Sequence, residues 1–218
     1  MNPMENMNPV VRAFAEGGFV MYVILVIAIL ALILVIERFT ALRKLRVDKK
    51  DFSDQVFNML LNGDIRQAIS FCDSKSTPMT NTVKSGLVQV MNKRPDEEVQ
   101  VAMDAAVLRE MPKLEGFTSF LAVLGNIAVL AGLLGTIIGM IGSFRAVSSA
   151  DPATKAQLLS EGISHALNCT GFGLTVAIVS ILFYGLFQHM IQKSENELLE
   201  TSMSLMNLVA ANRDKLKD

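Results

Sequence analysis

The chain has 218 residues, of which 51% are hydrophobic and 19% charged, and its formal net charge is −1. This near-neutral charge gives no support for a nucleic-acid-binding protein, because such proteins carry strongly basic surfaces. Two cysteines, Cys72 and Cys169, are too few for a disulfide framework, and the two histidines, His165 and His189, form no zinc-binding spacing.

Three stretches without a charged residue dominate the chain, at residues 17–36, 116–144 and 166–188. A bilayer core of about 30 Å needs roughly 20 apolar residues in a helix. Since water is absent there, the helix is the conformation that satisfies the backbone polar groups. The sequence therefore predicts an all-α membrane protein with three transmembrane helices. Residues 1–16 carry two glutamates and no cleavage site, so a cleaved signal peptide is not expected.

The distribution of lysine and arginine predicts the orientation of the spans. Residues 37–115 contain most of the 20 basic residues, whereas residues 145–165 contain only Arg145 and Lys155. The positive-inside rule therefore places residues 37–115 and the tail, residues 189–218, in the cytoplasm. The N-terminal segment and the loop at residues 145–165 are expected outside.

The cytoplasmic segment has the pattern of a folded helical domain. Helices are predicted over residues 51–61, 64–73 and 78–91, and over the residues that follow Pro95. Pro95 followed by three acidic residues is a typical helix start. This last pattern runs toward the second span, with Pro112 as a kink site. The tail is expected to continue the third span as a long helix.

The second and third spans differ from the first in their small residues. The first span is a bulky aliphatic rod, as expected of a lipid-facing helix. The other two place small residues at steps of three or four, on one helix face: Gly125, Ala128, Gly132, Thr136, Gly139 and Ser143, and then Ala166, Thr170, Gly173, Ala177 and Ser180. Such faces allow close helix packing in a membrane. They could instead line an ion path, which would require several copies because three spans cannot enclose a pore.

Two sequence blocks in these spans resemble a known family. Residues 126–140, NIAVLAGLLGTIIGM, are similar to the second-span signature of the ExbB/TolQ/MotA family. Residues 162–174, GISHALNCTGFGL, are similar to its third-span signature. Three spans with a large inner loop resemble ExbB and TolQ more than the four-span MotA. The resemblance covers roughly residues 115–190.

The resemblance implies a ring-forming homo-oligomer, a pentamer in this family, around a dimer of a single-span partner similar to ExbD or TolR. The partner's span carries an aspartate that loads and releases protons, so that ion flow drives work in the periplasm. This chain would be the channel and stator-like subunit of that motor, powering transport, envelope maintenance or gliding. It would lie in the bacterial inner membrane, with a periplasmic N-terminus and a cytoplasmic C-terminus.

By the same resemblance, Thr136 and Thr170 match the threonines that line the ion path beside the partner's aspartate. Further candidates are His165 and Asn168 for the ion path, and Gly132, Gly139, Ser143, Gly173 and Ala177 for a packing or pore face. His165 stands where ExbB-like members often carry glutamate, while Val129 and Val179 stand where they carry proline. His165 has two interpretations, a proton relay and an interfacial packing residue.

The sequence shows no catalytic set, phosphate-binding loop or cluster of metal ligands. An enzyme is therefore not expected, and neither is a cofactor or a metal. The alternative function, suggested by the missing glutamate, is a non-conducting membrane scaffold that stabilises or localises a partner protein. A neighbouring gene for a single-span protein with one intramembrane aspartate would favour the motor over the scaffold.

Overall fold

The computed structural model describes residues 18–45 and 49–213, so the expectations for residues 1–16 and for the end of the tail lie outside the described residues. The described part of the chain forms seven helices: α1 (Gly18–Leu45), α2 (Lys49–Leu61), α3 (Ile65–Ser74), α4 (Pro78–Met91), α5 (Asp96–Glu115), α6 (Thr118–Ser148) and α7 (Lys155–Ala211). No strand occurs among these residues. The all-α prediction is confirmed.

Three helical stretches are long and apolar enough to cross a membrane, namely Gly18–Lys44, Asp96–Ser148 and Lys155–Ala211. They contain the three predicted spans from residue 18 onward, and α1 and α7 continue well beyond their uncharged stretches, whereas α6 ends four residues after residue 144. Helix α7 runs through to Ala211, as the tail pattern predicts. The loop expected at residues 145–165 is shorter in the structure, because α6 continues to Ser148 and α7 begins at Lys155. The sequence becomes polar where a helix leaves the membrane, and the helix itself can continue beyond that point.

The chain divides into two compact units. The span unit comprises residues 18–37 and 117–186 of the described chain, and the polar unit comprises residues 38–116 and 187–213. Helices α1 and α7 each contribute residues to both units.

In the span unit, α1 is packed along one face and exposed along the others. Its buried residues recur at helical spacing: Val20, Met21, Ile24, Ile27 and Ala31. A Cβ atom placed on Gly135 of α6 would lie 3.1 Å from Val20 Cγ1, so this face contacts α6. The first span is therefore more than the lipid-facing rod that its composition suggests.

In the polar unit, helix starts follow local sequence signals. Thr77 and Thr80 form a capping box, in which each side chain accepts a hydrogen bond from the other's backbone N–H. Pro78 is the first helical residue of α4, where its missing N–H costs nothing. Helix α5 begins with three acidic residues, which interact favourably with the positive end of the helix dipole.

The core of the polar unit is filled by large apolar side chains between α4, α5 and the end of α7. Leu87, Met103 and Leu205 are fully buried. A Cβ atom on Gly86 would collide with Met103 Sδ and would lie 3.7 Å from Leu205 Cδ2. Gly86 thus provides the space that Met103 occupies, and the three elements pack tightly at this position.

The helical pattern that leads toward the second span is interrupted at Gly116, whereas Pro112 lies inside α5. Gly116 has φ +44°, a conformation that favours glycine. A Cβ atom there would also overlap the guanidinium of Arg38, which is buried. Helix α5 ends at Glu115, and the positive φ of Gly116 takes the chain out of the helical conformation at a position that favours glycine.

We expect the thiol of Cys72 to be unreactive in the folded protein. Burial raises its pKa to about 12, and the neighbouring Asp73 carboxylate adds to the shift while Lys84 opposes it. At pH 8 only about one thiol in 10⁴ would then be the nucleophilic thiolate. In a Cys169→Ala variant, maleimide labelling followed by mass spectrometry should modify Cys72 only after denaturation. A Ser76→Cys variant, exposed in the same unit, should react rapidly when folded; equally rapid labelling of Cys72 would contradict this.

Candidate functional site

The small faces of α6 and α7 pack directly against each other in the span unit. A Cβ atom placed on Gly132 would lie 3.0 Å from the carbonyl oxygen of Cys169 and 3.1 Å from Thr170 Cα. One placed on Gly173 would lie 2.5 Å from the carbonyl oxygen of Ala128. These neighbours are backbone atoms, which cannot rotate away as a side chain can. The two helices therefore approach at a separation that only glycine permits.

The same close packing continues along the interface. A Cβ atom on Gly139 would lie 3.0 Å from Ala166 Cβ, and one on Gly162 would overlap Ser143 Oγ. Ser143 is buried and donates a hydrogen bond to the Gly139 carbonyl oxygen at 2.8 Å. Ala177 is also buried. The structure thus brings the residues predicted for a packing or pore face to the α6–α7 interface.

Thr136 and Thr170 meet within this interface, where their hydroxyls form a hydrogen bond with each other. Thr136 Oγ1 also lies 3.2 Å from the Gly132 carbonyl oxygen and 3.3 Å from that of Ala166. Thr170 Oγ1 lies 3.1 Å from the Gly132 carbonyl oxygen. We call these two hydroxyls and two carbonyls the threonine cluster. It places a half-buried polar group in the middle of an apolar helix pair.

The threonine cluster contains hydrogen-bonding groups but no acid or base that titrates near neutral pH. Residues 116–144 and 166–188 carry no charged side chain. The cluster can therefore accept and donate hydrogen bonds, but its two hydroxyls and two carbonyls do not carry a proton as an acid or base at neutral pH.

His165 and Asn168, the other two predicted ion-path residues, lie near the cluster in sequence and are half-buried. His165 lines a cleft of about 350 Å³ whose walls include Val20, Gly135 and Cys169. No hydrogen bond joins Asn168 to either threonine among the described residues. The structure brings the two threonines together and places the histidine in a mostly apolar cleft that Ala166 also lines.

Sequence reasoning missed the contribution of Gly135 to this region. A Cβ atom on Gly135 would lie 2.7 Å from Cys169 Cβ, so the two helices also touch here. Its position three residues after Gly132 and four before Gly139 is a detectable signal, because such steps remain on neighbouring helix faces.

Comparisons with known proteins agree with these features. The profile of the MotA/TolQ/ExbB proton channel family matches residues 74–200, more than half of the chain. A Methanothermobacter thermautotrophicus protein named as a biopolymer transport protein ExbB homolog is 30% identical over 187 residues, which cover 84% of this chain and 65% of that protein. A Synechocystis protein named as ExbB-like is 28% identical over 173 residues, covering 79% and 81%.

A further relative is the Tol-Pal system protein TolQ of Pseudomonas aeruginosa, which is 40% identical over 91 residues. This match covers 42% of the present chain and 39% of TolQ. The chain thus spans just under two thirds of the archaeal relative and a smaller part of TolQ.

The α6–α7 interface predicts that alanine substitution changes the stability of the protein differently at two neighbouring glycines. Gly173→Ala should destabilise the protein by about 1–3 kcal/mol, because the methyl group meets backbone atoms of α6. Gly171→Ala is the matched control, since nothing lies within 4 Å of its Cβ position. It should be neutral or slightly stabilising, as alanine favours the helix. Thermal unfolding in detergent, followed by circular dichroism, measures both; an equal response of the two variants would contradict this packing.

Proposed function

Because this chain belongs to the MotA/TolQ/ExbB proton channel family, we propose that it is the channel and stator-like subunit of an inner-membrane motor driven by the proton motive force. Relatives named ExbB and TolQ support a membrane energy-transducing subunit in general. The observation that carries the more specific proposal is the threonine cluster, a polar group held between two apolar spans.

The cluster needs a titrating group from elsewhere, and this supports a partner with an intramembrane carboxyl. We assign that role to a single-span protein similar to ExbD or TolR, present as a dimer and carrying an aspartate in its span. Three spans cannot enclose a path, so several copies of this chain would form a ring around the partner, with five copies expected.

The threonine hydroxyls suit a carboxyl that changes its protonation state. A protonated carboxyl donates a hydrogen bond and an ionised one accepts, and a hydroxyl can do either. When a hydroxyl of Thr136 or Thr170 turns toward the carboxyl, the carbonyls of Gly132 and Ala166 can remain bonded within their own helices. The threonine cluster can therefore hydrogen-bond the partner's carboxyl in its protonated form and in its ionised form, and no polar group is left unsatisfied in either case.

In this proposal the N-terminus lies in the periplasm and the C-terminus in the cytoplasm, and the motor powers work in the periplasm or at the outer membrane. Transport, envelope maintenance and gliding are the processes considered.

A non-conducting scaffold remains the second candidate. The observation that favours it is that both threonine hydroxyls already have hydrogen-bond partners within the chain. The sequence resemblance adds that His165 stands where ExbB-like members often carry glutamate.

We expect the double variant Thr136→Val and Thr170→Val to abolish proton flux while keeping the protein assembled. Valine has nearly the shape of threonine but offers no hydrogen bond. Lost interhelical hydrogen bonds cost about 0.6 kcal/mol on average in membrane helices, so packing should survive. Flux is measured in proteoliposomes that contain the chain and its single-span partner, and assembly by native mass spectrometry, with a pentamer expected.

The matched control is Thr175→Val in the same span. Thr175 is exposed, and its hydroxyl donates a hydrogen bond to the Gly171 carbonyl oxygen of its own helix, at 2.8 Å. This variant should retain flux. Full flux in the double variant would refute the ion-path role of the cluster, and loss of assembly would return both threonines to a packing role.

The proposed orientation predicts one-sided labelling of two exposed positions. Ser76→Cys and Ser149→Cys are each made in a background with Cys72→Ala and Cys169→Ala. An impermeant maleimide added to intact spheroplasts should modify only the second, and lysis should expose the first. Labelling of residue 76 in intact spheroplasts would reverse the topology.

A further inference from the structure

Helix α5 of the polar unit carries a second apolar face, which the described residues of the chain leave uncovered. We call it the α5 stripe, and it consists of Val101, Ala105, Leu108 and Pro112. Val101 is 66% exposed and Leu108 is 74% exposed. The buried residues of α5, among them Val99 and Met103, lie on the opposite side of the helix. A contiguous exposed apolar stripe rimmed by polar residues is typical of an interaction surface.

The C-terminal part of α7 carries a stripe with the same spacing. The α7 stripe consists of Leu199, Met203, Met206 and Ala210, at steps of four, three and four residues. Met203 is 67% exposed. This stripe borders a groove of about 270 Å³, whose α5 side is formed by Gln100 and Asp104. Methionine side chains adapt well to an incoming surface.

The two stripes lie at the same level of the polar unit. Asp96 at the start of α5 forms an ion pair with Arg213 just beyond the end of α7, so the two helices are antiparallel. Gln100 and Asp104 line the groove together with Met203. If the ring axis runs parallel to these helices, rotation from one copy to the next leaves heights along the axis unchanged. The α5 stripe of one copy then lies at the same height as the α7 stripe of the next, and the two can meet along their length.

Charges beside the stripes are complementary. Arg109 follows Leu108 directly and is exposed, and Asp104 is an exposed residue on the groove wall. Neither forms an ion pair within residues 18–45 and 49–213. By contrast, Glu200 on α7 is paired with Lys49 of the same chain. Arg109 beside the α5 stripe of one copy and Asp104 on the groove wall of another have opposite charges, which favours contact between the two copies.

We infer that the α5 stripe of one copy packs along the α7 stripe, in the α5–α7 groove, of the next copy. The contact is head-to-tail, because the two surfaces differ, and such contacts close into rings when the rotation allows. This inference rests on the ring assembly of the proposed function and names a contact that holds it together outside the spans. It does not depend on ion conduction.

The test is crosslinking between copies in native membranes. Leu108→Cys and Met203→Cys are combined in one chain that also carries Cys72→Ala and Cys169→Ala. A short bismaleimide should give a ladder of covalent oligomers on a denaturing gel, ending at the ring size. Each single variant should stay monomeric. The control pair Leu61→Cys with Met203→Cys uses an exposed apolar residue outside both stripes and should also stay monomeric.

Two outcomes would overturn the inference. A monomer in the double variant would exclude this contact, whether the surfaces are free or covered by a different protein. A dimer from Leu108→Cys alone would show the α5 stripes pairing with each other. Proton flux is a separate readout, so failure of the motor proposal leaves a positive ladder unchanged, and failure of the ladder leaves a positive flux result unchanged.

A charge exchange tests the same contact independently. Asp104→Arg in the crosslinking variant should lower the ladder yield roughly tenfold, because Arg109 of the neighbouring copy then faces a like charge. Adding Arg109→Asp should restore the yield, since opposite signs again meet across the contact. Unchanged yield in the first variant, or no recovery in the second, would refute the assigned pairing.

Discussion

The span unit depends on one steric constraint, the contact of α6 and α7 at a distance that leaves no room for a Cβ atom. At Gly132 and Gly173 the opposing atoms are backbone, so a larger residue at either position would force the two helices apart. At the present separation the hydroxyls of Thr136 and Thr170 reach each other. A larger helix separation would leave the Thr136 hydroxyl bonded to the Gly132 carbonyl of its own helix and would remove both present partners of the Thr170 hydroxyl, which belong to α6.

The two units reach stability by different physical routes. In lipid, apolar side chains gain little from meeting each other, so the span unit relies on close contact of small residues and on hydrogen bonds. The polar unit buries Leu87, Met103 and Leu205 away from water, and the hydrophobic effect supplies most of the gain. The exposed Leu108 side chain of the polar unit therefore costs free energy in a free chain because it faces water. A leucine exposed on a transmembrane span faces lipid and has no such cost.

Local and periodic signals predicted much of this structure, and long-range packing explains the rest. Helix α4 begins at Pro78 because Thr77 and Thr80 cap it, which is visible in sequence. The small faces of the second and third spans contain Thr136 and Thr170, but their periodicity did not predict that the two hydroxyls bond to each other. The end of α5 at Gly116 was missed because the apolar pattern continues through this glycine, which alone does not show that the backbone turns there. The packed face of the first span was missed because hydropathy cannot distinguish a lipid neighbour from an apolar helix.

The hydrogen bond between the two threonines can run in either direction, because each hydroxyl also has a carbonyl oxygen within reach. In one, Thr136 donates to Thr170, which donates to the Gly132 carbonyl; in the other, Thr170 donates to Thr136, which donates to the Ala166 carbonyl. Both arrangements satisfy both hydroxyls, and rotation about two C–O bonds interconverts them without moving any heavy atom. The local dipole of the two hydroxyls can therefore reverse. A group beside them could be met by a donor hydrogen when it is charged and by an acceptor oxygen when it is protonated.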